Sequence, residues 1–166
     1  GLCFIVDDEN YGKLERKSSL FEKDLTTPKE IKEKMHDFYP IVANKMYKTE
    51  LITDDNLFHE GVLYEDVEFM YRLFSKVKKI GVVDEGLYYY LQRSGSIMKQ
   101  LEFNEKLFDI FDVLDSNKKV LEKKYFDEVE YMYITHLLRT GTLRFLDYSN
   151  YSELVDIYLT KLISKK

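Results

Sequence analysis

The sequence predicts a mixed α+β protein that is predominantly helical. Three observations carry that expectation. Two runs rich in β-formers, residues 2–6 and 87–91, fall in the first hundred residues. A helix start is spelled out by Thr27, Pro28 and Glu30. From about Phe103 onward, apolar residues recur at helical spacing to the end of the chain. The change from mixed to helical pattern sets a soft boundary near residue 100, dividing residues 1–100 from a helical extension over 101–166.

Taken in order, residues 2–6 read as an interior strand, closed by a turn over 7–12. Residues 13–25 read as loop with a short strand at most. Thr27 is the cap of the first helix, Pro28 suits its first position, and Glu30 completes a capping box. Ile31, Met35 and Phe38 form its buried stripe, and Pro40 ends it. Residues 41–51 are a short, partly buried segment, and Asp54-Asp55-Asn56 is a turn. A helix follows from about Glu65 to Lys78, with apolar positions at Val67, Met70, Tyr71, Phe74 and Val77. Residues 79–83 read as a short strand, 84–86 as a turn, and 87–91 as a further strand that leaves through a polar loop. The helical part reads as three helices. The first carries Leu107, Phe111 and Leu114, the second Val129, Met132, Tyr133 and Leu137, and the third starts near Ser152. Gly141 is the expected weak point of the second.

A chain of 166 residues, 45% hydrophobic, is long enough to bury a sizeable core. Its formal charge of −5 argues against a general affinity for nucleic-acid phosphates, so no nucleic-acid partner is expected. The single Cys3 excludes an internal disulfide and a cysteine-based zinc site. There is no apolar run of roughly 20 residues. The 14 Tyr and 11 Phe supply aromatic surface suited either to a core or to a half-buried groove. The strand pattern begins at Gly1 without a preceding Met, the expectation for a piece of something longer.

The chain is organised around Glu60-Gly61-Val62-Leu63-Tyr64-Glu65-Asp66-Val67. A Gly-containing turn delivers Glu65 and Asp66 to the first turn of a helix. The free N–H groups and dipole of a helix start favour carboxylates there, so on periodicity alone the pair reads as simple caps. An ionised carboxylate in that place can also accept a proton from an attacking hydroxyl. Gln92 and Arg93 follow a strand, where an arginine can grip a phosphate or carboxylate with two parallel hydrogen bonds. Asp7-Asp8-Glu9 is read as a solvated turn. His36, His59 and His136 are far apart and form no helical metal pair. Cys3 has no basic partner in sequence and is read as inert. Phosphate-binding glycine loops are absent from the sequence.

Three blocks together resemble the second half of a family 2 glycosyltransferase domain of the bacterial surface-polysaccharide class. Asn44-Lys45-Met46-Tyr47-Lys48 with Glu50-Leu51 is similar to that family's N-K-L-Y-K block. Residues 58–67, Phe-His-Glu-Gly-Val-Leu-Tyr-Glu-Asp-Val, are similar to F-P-E-G-x-x-x-E-D-V, with His59 in place of the usual Pro. Residues 87–97 are similar to L-Y-x-Y-x-x-R-x-x-S-I. The resemblance covers about residues 1–100 and implies the acceptor-side half of a GT-A fold followed by a helical bundle. It implies Asp66 as catalytic base, with Glu65 positioning it or touching the acceptor. It also implies that Asn44, Lys45, Tyr90, Gln92 and Arg93 bind substrate.

The family holds its nucleotide-sugar and a divalent metal, Mg²⁺ or Mn²⁺, in an N-terminal half with a D-x-D motif. The spacing from Asp7-Asp8-Glu9 to Asn44 is too short for that motif, so the nucleotide-sugar-binding half is expected upstream of Gly1. No metal is then expected in this chain. The implied partners are that missing half and a saccharide acceptor, and the implied location is cytoplasmic, at the inner face of a membrane. The competing expectation is a non-catalytic helical interaction module, with Glu65 and Asp66 only capping. Its terminal helix would dock on a partner or lie on a membrane surface.

Overall fold

The structure is a computed structural model that describes residues 2–7, 15–17, 23–38, 40–83, 85–92, 103–121, 123–146, 148 and 150–164. Two compact units make up the chain: residues 1–57 with 73–100, and residues 58–72 with 101–166. The chain thus passes between units at residue 100 and again on either side of 58–72.

The first unit holds a three-stranded sheet in the order β2-β1-β3. β1 (Leu2–Asp7) is central, as its unbroken apolar run predicts. β2 (Glu15–Lys17) pairs with it antiparallel, Phe4 opposite Arg16. β3 (Gly86–Gln92) pairs with it in parallel, Ile5 opposite Tyr90. A parallel neighbour cannot be reached by a hairpin, so the long intervening segment with its helices forms the crossover. Of the strand expected over 79–83, a single bridge forms. Ile80 and Leu25 exchange both backbone hydrogen bonds, at 2.8 and 2.9 Å.

Helix α1 (Pro28–Glu33) starts as the capping box predicts. The Thr27 hydroxyl accepts the Glu30 N–H at 3.2 Å, and the Glu30 carboxylate accepts the Thr27 N–H at 3.0 Å. Donors from Thr26 and Thr27 hold the Glu30 carboxyl below its usual value, the Thr26 backbone N–H contributing most. The helix is shorter than its apolar stripe suggests, because Met35–Asp37 tightens into a 3₁₀ turn. Ile31 and Met35 are buried as expected.

Helix α2 (Glu65–Lys76) begins in the second unit and ends in the first. In the first unit its Lys76 binds Asp55 at 2.8 Å, and with Thr53 holds that carboxyl at about 2.

The second unit is helical. Asn104 caps a 3₁₀ turn (Glu105–Phe108) by accepting the Lys106 N–H at 3.0 Å, and α3 (Asp109–Leu121) continues from it. α4 (Phe126–Ile134) runs into a wide π-helical stretch (Thr135–Gly141) and then α5 (Thr142–Phe145). Gly141, expected as a weak point, is where the wide turns end. α6 (Tyr151–Ser164) closes the chain. Its Tyr158 is the hub of the core, its ring 4.9 Å from that of Phe111 and 5.1 Å from that of Phe145. Among the described residues, no helix is long and apolar enough to cross a membrane.

Candidate functional site

The segment that carries the acidic pair is held down before it reaches α2. Phe58 stacks on Phe69 with ring centres 4.5 Å apart. Gly61 takes φ +78°, a conformation that favours glycine, and its carbonyl accepts from Lys106 Nζ at 3.0 Å. The Leu63 N–H donates to Asp109 Oδ2 at 2.9 Å. Two anchors therefore come from the turn that opens α3. Tyr64 then adopts φ +66°, where a residue with a side chain is strained by about 1–2 kcal/mol. Its ring lies 5.9 Å from the Arg144 guanidinium, and burial raises its phenol above the ordinary value.

Beyond Tyr64 the helix begins, the Tyr64 carbonyl accepting the Glu68 N–H at 3.2 Å. Glu65 is exposed and Asp66 half-buried. Asp66 Oδ1 accepts the Val67 N–H at 2.8 Å, which satisfies one of the orphan donors of the first turn. Capping and base are thus compatible roles for this carboxylate.

Glu68 is the carboxylate that the sequence reading missed. Only 3% of it is exposed. Its Oε1 lies 2.5 Å from Arg72 Nη2, and its Oε2 faces His59 Nδ1 at 3.5 Å. Arg72 also donates to Ser116 Oγ on α3, and Asn117 Nδ2 donates to the Val67 carbonyl at 3.4 Å. The available signal was Phe69 and Leu73. Both are apolar, lie outside the expected stripe and are buried, so α2 packs on more than one face. A helix enclosed that widely draws Glu68 inside, and its i, i+4 spacing to Arg72 makes the pairing readable.

The other expected site residues lie in the first unit. Asn44 and Lys45 are brought together, but on each other: Lys45 Nζ binds Asn44 Oδ1 at 2.7 Å and the Ile41 carbonyl, 4.9 Å from the centre of the Phe38 ring. Tyr90 is half-buried with its ring 6.4 Å from that of Tyr88, while Leu87, Tyr89 and Leu91 on the alternate positions are exposed. Gln92 ends β3. Arg93, and the turn residues Asp8 and Glu9, lie outside the described residues.

No family model, curated protein or solved structure matches this chain significantly. Among the described residues, no three His, Cys, Asp or Glu side chains gather where a metal ion could be held.

His136, on the π-helical stretch, is driven far from its ordinary value. Burial lowers it to about 4, with Tyr71 packed edge-on to its ring. A histidine kept neutral beside an apolar core is a packing group. His36, in contrast, lies 3.4 Å from Asp37 at the surface.

Proposed function

We propose that this chain is the acceptor-side part of an inverting glycosyltransferase acting in cell-surface polysaccharide synthesis. On this reading it is part of a GT-A fold, and the nucleotide-sugar and its divalent metal belong to a preceding half of the same protein. Asp66 takes the proton of an acceptor hydroxyl. The hydroxyl oxygen bonds to the anomeric carbon as the bond from that carbon to the diphosphate oxygen breaks. The nucleoside diphosphate leaves with the electron pair, and the anomeric configuration inverts. Glu65, exposed beside Asp66, touches the acceptor. Gln92, the last residue of β3, and Arg93, next in sequence, serve the diphosphate or acceptor, and Tyr90, Asn44 and Lys45 complete the substrate contacts. The enzyme works on the cytoplasmic side, at the membrane surface.

The observation that supports this reading is the left-handed Tyr64 directly before the acidic pair. Strain in a residue of that size persists only where surrounding contacts over-determine it, and such residues cluster at working sites. Here the surrounding contacts are those from Lys106 and Asp109. A simple helix cap requires no such conformation upstream of it.

The reading is tested by sugar transfer from a panel of nucleotide-sugars with Mg²⁺ or Mn²⁺. The full-length protein is expected to transfer, and the 166-residue chain alone is not. Transfer by the chain alone would mean that the donor half is not separate.

A second reading, a non-catalytic interaction module, is favoured by Tyr131, Ile134 and Leu138. These follow one another at helical spacing and are exposed. Under it, replacing Asp66 changes nothing but the stability of α2.

A further inference from the structure

We infer that His59 and Glu68 form a tether that positions Asp66. The inference rests on the proposed role of Asp66 and adds to it the residues that hold it in place. His59 and Glu68 bracket residues 60–67, which include both Glu65 and Asp66. Their contact, Nδ1 to Oε2 at 3.5 Å, therefore closes a loop across the acidic pair. The two ends differ in a useful way. Glu68 is a fixed post: it is 3% exposed, and its other oxygen is held by Arg72, which is itself bound to Ser116 on α3. His59 reaches that post from solvent, its side chain 67% exposed.

A buried carboxylate oxygen is costly to leave without a donor, so Glu68 holds the imidazole rather than the reverse. Among the described residues, the titratable and charged groups paired with Glu68 are Arg72 on its own helix and His59 on the loop. Glu60, next to His59 in the chain, is exposed. Because the acceptor is a carboxylate, an N–H at Nδ1 makes a charge-assisted contact with it. Where the resembled family has a proline to stiffen this loop, His59 stiffens it through its contact with Glu68.

The test combines amide exchange on the chain with turnover of the full-length protein, using His59→Ala, His59→Gln and Glu68→Gln. His59→Ala and Glu68→Gln are expected to speed exchange across residues 60–66 by about tenfold, the equivalent of one lost hydrogen bond. His59→Gln, which keeps a donor, is expected to stay closer to the unsubstituted chain. In turnover, His59→Ala is expected to lower kcat by about tenfold with the donor KM unchanged, as misplacement of a reacting group does. Should Glu68→Gln fail to fold, His59→Ala carries the test, because its side chain is exposed. Unchanged exchange at 60–66 in His59→Ala, or acceleration spread evenly over the second unit, overturns the tether. If Asp66→Asn keeps full turnover while exchange at 60–66 still responds, the tether stands and the base assignment fails.

Discussion

Glu68 and Arg72 stand one turn apart on α2 with Oε1 and Nη2 2.5 Å apart, and the carboxylate is closed off from solvent. A pair like this is worth little against an apolar substitute, but breaking it from one side strands a buried charge. Arg72→Met is expected to destabilise the second unit by about 3 kcal/mol. The double variant Glu68→Leu, Arg72→Met is expected to recover much of that loss. Urea unfolding of both variants checks this, and a double variant as unstable as Arg72→Met alone would contradict the account.

Gly61 tests the backbone upstream of the acidic pair. Its φ is +78°, and an added Cβ would meet nothing within 4 Å. Gly61→Ala therefore isolates conformational strain from crowding, with an expected cost of about 1 kcal/mol. Gly61→Asn is expected to cost less, since Asn visits the left-handed region more readily. Equal losses in the two variants would point to a contact rather than to backbone strain.

The capping box of α1 gives a prediction confined to the first unit. Thr27→Ala removes the acceptor for the Glu30 N–H and is expected to cost about 1 kcal/mol. The amide of Ile31, bonded to the Thr27 carbonyl at 3.1 Å, is expected to exchange faster, while amides of α3 keep their rates.

His136 gives a pH dependence of fixed sign. Burial lowers it from 6.5 to about 4, so between those values the unfolded chain holds a proton that the folded chain lacks. Stability from this residue is complete above 6.5 and falls as pH drops toward 4. The full loss is roughly 3 kcal/mol. His136→Phe is expected to flatten that part of the stability curve in urea titrations at stepped pH. A curve of unchanged slope would place the pH sensitivity elsewhere.

Much of the fold was legible because it depends on local rules. The capping box at Thr27 and Glu30, the strand over 87–91 and the stripe of α2 follow from nearest neighbours along the chain. The strand expected over 79–83 was not realised, because a strand needs a partner as well as β-formers. Among the described residues, Ile80 pairs only with Leu25. The π-helical stretch over Thr135–Gly141 has no period that the sequence announces. At the site, the place of Glu65 and Asp66 before a helix was readable. The left-handed Tyr64 was not, since tyrosine rarely takes that conformation and tertiary contacts impose it here. Glu68 was missed for a related reason: its burial depends on packing on α3, and its signs in α2 were the apolar Phe69 and Leu73 outside the expected stripe and the spacing to Arg72.

The central claim is that Asp66 is a general base, and turnover of the Asp66→Asn variant in the full-length protein tests it most directly. Asparagine keeps the shape and a carbonyl oxygen for the Val67 N–H, so the helix start survives while the proton acceptor is lost. The account predicts a fall in kcat of about 10²–10⁴ with the dissociation constant of the nucleotide-sugar unchanged. Turnover near that of the unsubstituted enzyme, with donor binding intact, would contradict it and leave Asp66 as a helix cap.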